Sequence, residues 1–348
     1  MYIRQYSGLI ATAFCLSFVI MKHISILVPK SAILGSLEGT RLLFTQVNQF
    51  FKDRDLQPLF RVQLVGIDRE AKLVGGLFTA HVDATINEID KTDLIIIPAI
   101  DGDLKEGIEN NKDFFPWIVK QYKNGAEIAS LCLGAFLLAS TGLMKGRKCA
   151  THWLAENAFK TMFPDVHLVT EKIVTDEQGI YTSGGAFSYL NLILYLIEKY
   201  AGREMSVLAA KVFAIEIERK DQLSFVIFQG QKDHDDELIR RVQDYIEGNY
   251  QEKITVDQLA SLFAVGRRNL ERRFKKATSN TVMEYIQRVK IEAAKINLER
   301  TRENVNEAMY KVGYSDIKAF RTTFKKITGL SPLEYRNKYN RATLAMYN

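Results

Sequence analysis

The chain has 348 residues, 47% of them hydrophobic and 25% charged, a soluble-globular composition too long for one typical core and long enough for two domains. Its net charge of +6 is unevenly spread: from Asp235 onward there are 22 basic against 15 acidic residues, leaving 25 basic and 26 acidic before it. The excess positive charge therefore belongs to the last third alone, which points to a polyanionic partner for that part. Three cysteines (15, 132 and 149) form no CxxC pair and no zinc-type spacing with the five histidines, so neither a metal site nor a disulfide framework is expected.

The chain opens on "GLIATAFCLSFVIM" (8–21), which has the look of a weak signal peptide. It is shorter than the roughly 20 residues that cross a bilayer, no A-x-A site follows, and Met21 leads straight into a strand pattern. Initiation near Met21 is favoured over a packed extension or a membrane anchor. Residues 1–20 are set apart as an N-terminal extension and a cytoplasmic location is expected.

From 21 to 219 short apolar runs alternate with helical patterns. Strands are expected at 24–29, 61–67, 94–99, 126–131 and 179–184, and helices at 38–52, 109–123, 134–143 and 187–200. Near-continuous Ile, Leu and Val implies strands buried on both faces. Such alternation makes an α/β doubly wound, mostly parallel sheet of the flavodoxin-like kind. No G-x-G-x-x-G follows the first strand, so no dinucleotide cofactor is expected.

Ligands of such sheets sit at the carboxyl ends of the strands. Those ends carry Ser36 and Glu38, then Cys132 with Leu133, then Ser183 and Gly184. Ser130 and Gly134 flank Cys132 with the small residues a strand-to-helix elbow needs. The amides of the following helix are expected to lower the thiol's pKa and offer an anion site. His152 lies twenty residues on and within possible reach of the sulfur. Cys132 can be read as a nucleophile, as a pocket-lining group or as core packing; His152 is equally readable as a helix cap.

The stretches "ASLCLGAFLLASTGLMKGRKCATHW" and "GIYTSGGAFSYLNLILYLIEKYAG" resemble the PfpI-like branch of the class I glutamine-amidotransferase superfamily over about residues 23–203. The resemblance implies a cysteine at the elbow, matched by Cys132, with a histidine, matched by His152, and an acid, for which Glu38 is the candidate. It also implies possible amidase, protease or deglycase chemistry. Leu133 stands where protease-like members carry their catalytic histidine, a departure from the protease pattern.

The segment 203–219 reads helical, and 220–234 loses periodicity and is expected to be a linker. The region 235–340 is helical throughout, ahead of a tail at 341–348. Helices are expected at 256–263, capped by Thr255, and at 267–276 after a tight turn, the proportions of a helix-turn-helix. A long helix at 281–299 follows, and then the plan repeats: "NVNEAMYKV", a turn at Gly313-Tyr314, a cap at Ser315 and a second recognition helix. "NLERRFKKATSN" parallels "AFRTTFKKITGL".

Arg267, Arg268, Asn269 and Lys318 are the candidates to read base edges of double-stranded DNA, Arg for guanine and Asn for adenine. Arg272, Arg273, Lys275, Lys276, Arg321, Lys325 and Lys326 are the candidates for phosphate contacts. Asp316 is expected to cap or orient the second helix. "YKVGYSDIKAFRTTFKKITGLSPLEYR" is similar to the C-terminal signature of the AraC family, with Thr322 where members usually carry arginine. The two resemblances together imply a transcriptional regulator, an activator in the known subgroup with this pairing. Its first domain would sense a small-molecule effector or dimerise, with RNA polymerase as a further partner and no membrane. The alternative is a Cys132-dependent hydrolase or deglycase fused to a DNA-binding domain.

Overall fold

The computed structural model describes residues 21–217, 221–232, 234–301 and 303–340; the apolar stretch 8–20 and the tail 341–348 lie outside them. The chain folds as two compact units, Met1–Lys220 and Asp221–Asn348.

In the first unit a seven-stranded sheet has the order β10-β11-β7-β6-β1-β2-β5. Its centre is parallel: β1 (Lys22–Leu27), β2 (Phe60–Gly66), β6 (Leu94–Ile97), β7 (Glu127–Leu131) and β11 (Ile180–Ser183), with the short β5 (Ala84–Thr85) at one edge. The reason for continuous apolar strands is visible on β6: Leu94 and Ile96 enter one core, Ile95 and Ile97 the other. Helices α1 (Leu34–Lys52), α6 (Tyr189–Ala201) and α7 (Arg203–Val212) cover the first face. Helices α2 (Leu104–Asn110), α3 (Phe114–Lys123), α4 (Gly134–Ser140) and α5 (Glu156–Met162) belong to the second.

Several elements depart from the sequence expectations. The helix expected at 109–123 is two helices, broken where the Asn111 side chain turns inward to bond the backbone of Lys30 and Gly107. The helix expected over 203–219 stops at Val212, where Ala214 takes a left-handed conformation and the Ile215 N–H closes on Ala210. A hairpin, β3 (Glu70–Leu73) with β4 (Phe78–His81), was not foreseen, because its strands mix charged and apolar residues and only half bury them. Nor was β10 (Val174–Glu177), which pairs antiparallel with β11 through a turn at Gln178-Gly179, both at positive φ. A further small pair joins β8 (Lys148–Cys149) to β9 (His167–Leu168).

The second unit is all helix: α8 (Glu237–Gly248), α9 (Val256–Leu262), α10 (Arg267–Thr278), α11 (Val282–Arg300), α12 (Val305–Lys311), α13 (Ile317–Thr328) and α14 (Pro332–Tyr339). It holds two separate apolar cores, one around Phe274 and Tyr285, the other around Phe324 and Tyr335. Capping boxes start α9, α11, α12 and α14, with Thr255, Thr281, Asn304 and Ser331 each paired to the Glu or Gln three residues on. The segment expected as a free linker instead packs on this unit. The Lys295 ammonium donates to the Val226 carbonyl, Phe228 stacks edge-on against Tyr285, and the Tyr339 hydroxyl donates to the Ser224 carbonyl.

Candidate nucleic-acid interface and strand-end elbow

The cysteine corner follows from close backbone contact. Cys132 leaves β7 with φ +52, a left-handed conformation, and α4 begins two residues later. A Cβ on Gly134 would lie 2.5 Å from the Pro98 carbonyl oxygen and 2.7 Å from that of Ile97, so only glycine lets α4 start against the end of β6. The Cys132 N–H donates to the Ser183 carbonyl at 3.0 Å, and the Thr151 hydroxyl donates to the Cys132 carbonyl at 3.0 Å. The elbow is thereby tied to β11 and to the segment ahead of His152.

The thiol itself differs from expectation. Cys132 is only 4% exposed, and burial pushes its pKa up to about 11. The Leu133 N–H opposes this but loses to desolvation, so the expected activation by the helix amides is absent. His152 caps the turn at 153–155, its Nδ1 accepting from the Leu154 N–H at 3.2 Å, and burial lowers its pKa. No hydrogen bond joins its ring to Cys132 among the described residues. Glu38 points elsewhere: its carboxylate is exposed and held in a two-pronged pair by Arg41. Ser36 is consumed by structure, its hydroxyl donating to the Ile33 carbonyl and accepting from the Ala99 N–H. The Gly184 N–H donates to the Ile173 carbonyl.

Two polar groups remain. The hydroxyls of Ser130 and Ser183 are fully buried and have no hydrogen-bond partner among the described residues. Ser183 is the residue whose carbonyl holds Cys132, and Ser130 lies two residues before it on β7. Buried polar groups are nearly always paired, so an unpaired one beside the elbow calls for an explanation. Cys149 is free and buried like Cys132, its thiol pushed up to about 12 by burial. Among the described residues no cluster of three or more His, Cys, Asp or Glu is placed to hold a metal ion.

In the helical unit the internal repeat is exact in its skeleton. Leu270, Phe274 and Thr278 on α10 are buried, as are Phe320, Phe324 and Thr328 on α13. Thr278 and Thr328 each donate to the carbonyl four residues back at 2.8 Å, and each helix ends on a left-handed residue, Ser279 and Gly329. Each turn before a recognition helix also holds one left-handed residue, Ala264 and Gly313. Asp316, and not Ser315, caps α13, accepting from the Ala319 N–H at 2.6 Å.

The polar faces differ. On α10, Arg267 pairs with Asp257 and Glu271, Arg272 with the Asn269 side chain, and Lys275 with the Ser279 carbonyl. Arg273 is half-buried and makes a fork to Asp236, the cap of α8, so it is committed to the fold. Arg268 and Lys276 are exposed and make no ion pair or hydrogen bond among the described residues. On α13, Lys318, Arg321, Lys325 and Lys326 are all exposed and none makes an ion pair or hydrogen bond among the described residues.

Comparison with known proteins follows these two constructions. Residues 54–199 match the DJ-1/PfpI family and residues 259–338 match a helix-turn-helix domain. The chain joins a DJ-1/PfpI domain to an AraC-type helix-turn-helix domain. It is 25% identical over 231 residues to the HTH-type transcriptional regulator GbdR of Pseudomonas aeruginosa, covering 65% of this chain and 61% of that one, so it spans less than two thirds of that relative. To CdhR of the same species, also an HTH-type transcriptional regulator, it is 23% identical over 317 residues, 89% of this chain and 90% of the other. A crystal structure of a transcriptional regulator protein from Vibrio parahaemolyticus aligns with TM-score 0.50 and 23% identity, covering 56% of this chain and 99% of that one, a likeness of fold.

The DJ-1/PfpI domain thus brings Cys132, Leu133, Ser183 and the His152 segment to one corner, while the Glu38 carboxylate is held by Arg41. Thr151 was missed, and only the T-H pairing in "CATHW" could have hinted at it. In the AraC-type domain Asp236 was missed as the partner of Arg273; its position just before a helix marks it only as a cap. No helix of the described residues is long and apolar enough to cross a membrane.

Proposed function

We propose that the chain is a sequence-specific DNA-binding transcriptional regulator, an activator, acting in the cytoplasm and without enzymatic activity of its own. The observation that carries this reading is the repeated helix-turn-helix skeleton with cations left free on the outer face of α13 and at the start of α10. Free guanidinium and ammonium groups on such helices neutralise phosphates and reach base edges. Arg268 and Lys318 are assigned to bases together with Asn269 and Arg267, whose surface ion pairs are weak enough to exchange for DNA. Lys276, Arg321, Lys325 and Lys326 are assigned to phosphates, with Arg272 and Lys275 beside them, while Arg273 holds the fold. The names of GbdR and CdhR support the same role.

The DJ-1/PfpI domain is assigned to sensing a small molecule at the strand ends. The support is the pair of unpartnered buried hydroxyls, Ser130 and Ser183, which a bound polar group would satisfy. A homodimer and contact with RNA polymerase are part of the proposal. Hydrolase chemistry is disfavoured by a buried Cys132 whose thiol pKa is pushed up to about 11, a capping His152 and a Glu38 carboxylate engaged by Arg41.

Sequencing of genomic fragments retained by the purified full-length chain tests the reading. The expected result is a shared motif in two parts, one per recognition helix. Diffuse, salt-sensitive binding with no motif would reject it.

A further inference from the structure

The two cores of the helical unit do not merge. The first takes Tyr285 and Ile286 from α11 and the second takes Ile291, Ala294 and Leu298. The seam between the two helix-turn-helix modules is therefore crossed only by partly buried apolar groups such as Tyr250, and leans on polar contacts as well. At that seam, on α11 between Ile286 and Ile291, stands Lys290.

Lys290 is only 7% exposed. Its ammonium donates to the Glu252 carbonyl at 3.0 Å and to the Val312 carbonyl at 2.9 Å, and lies 5.8 Å from the centre of the Tyr314 ring. Glu252 belongs to the first module, in the turn after α8; Val312 ends α12 and Tyr314 follows it, in the turn before the second recognition helix. One side chain thus bonds the backbone of both modules. An ammonium carries three donors and no acceptor, which suits two carbonyls facing it from different segments. The backbones also meet directly here: a Cβ on Gly313 would lie 2.1 Å from the Gln251 carbonyl oxygen and 2.8 Å from the Lys290 nitrogen. Tyr250, from the same turn as Glu252, packs against the second core.

We propose that Lys290 is a positioning residue for DNA recognition: it clamps the turn at 249–252 to the turn at 312–314 and so fixes the offset between α10 and α13. This rests on the regulator reading given above. Two recognition helices held at one offset accept half-sites about one helical turn, roughly 34 Å, apart and reject others. A loosened pair behaves as two tethered readers, for which spacing matters less.

The test uses the full-length chain and the two-part site selected from genomic fragments. Lys290→Met removes the donors at nearly constant length, and Lys290→Arg keeps them. The readout is the ratio of affinity for the selected site to affinity for the same site with one base pair inserted between its halves. Lys290→Met is expected to lower that ratio about tenfold while Lys290→Arg preserves it. A wild-type ratio in the Met variant, or equal loss in both variants, overturns the clamp. If the Met variant fails to fold, Lys290→Gln, which retains a shorter donor, takes its place. A second measurement needs no DNA: the nitroxide–nitroxide distance between labels at Asn269→Cys and Thr322→Cys, in a Cys15→Ser background. Lys290→Met is expected to broaden this distribution, and an unchanged one overturns the clamp. Broadening in a protein that selects no two-part site would leave the clamp standing and reject the regulator reading instead.

Discussion

The corner around Cys132 and the outer face of α13 treat polar groups in opposite ways. At the corner nearly every donor and acceptor is turned inward: Ser36, Thr151, His152 and the Cys132 amide all serve the backbone of their own domain. On α13 four cations stand in solvent and make no ion pair or hydrogen bond among the described residues. A group committed to the fold stabilises it and is unavailable for chemistry; a group left free costs little in stability and is available to a ligand. Sequence motif alone does not separate these cases, since a nucleophile elbow and a buried elbow share the same small residues. The contrast supports the proposal that the chain works through its helices and that the elbow is receptive and not reactive.

The largest effect that would sharpen this contrast is at Gly134. Gly134→Ala places a methyl group against two backbone carbonyls that cannot swing aside, so it should destabilise the first unit by about 3 kcal/mol in urea unfolding. DNA binding by the helical unit of this variant should persist at denaturant concentrations where the destabilised first unit has melted.

Next, replacing Arg321, Lys325 and Lys326 by alanine together should leave folding within about 0.5 kcal/mol of wild type, as expected for exposed side chains. The same change should weaken DNA binding on the order of a hundredfold and reduce the slope of log K against log salt by about 3. Full retention of the salt slope would show that α13 does not face phosphate.

Arg273→Ala is the converse. Losing the fork to Asp236 should cost stability of about 1 kcal/mol and leave the salt slope unchanged. A slope reduced by one would return Arg273 to the phosphate set.

The smallest effect is expected at the thiol. With its pKa near 11, Cys132 is protonated at neutral pH, so iodoacetamide should label it far more slowly than free cysteine. Because the pKa is raised, the rate should keep climbing past pH 9 and level off only near pH 11. A plateau below pH 8 would mean an activated nucleophile and revive the hydrolase. Cys132→Ser should leave DNA binding intact.

Much of this was legible in the residues. Runs such as "LIIIPA" announce strands buried on both sides, and β6 divides its residues between two cores for that reason. The paired "FKK" segments mark the repeat, with Phe274 and Phe324 in matching places. The hairpin at 70–81 was illegible because its strands are only four residues long, β3 burying just Ala71 and Leu73 and β4 burying no residue fully. Lys290 was hidden for a related reason: periodicity places a lysine on the wet side of an amphipathic helix, and only the arrival of two carbonyls from distant segments makes it interior. Arg272 and Arg273 are adjacent and alike in sequence, and the difference between them is the position of Asp236 in space. The acidity of Cys132 likewise depends on how completely the folded domain buries it.

The central claim is that the free cations of the two recognition helices read DNA sequence. It is tested most directly by the full-length chain carrying Arg268→Ala and Lys318→Ala, compared with wild type on the selected two-part site and on random DNA. The account predicts that the preference for the site collapses by at least about tenfold per lost base contact while binding to random DNA largely remains. An undiminished preference in the double variant would contradict it.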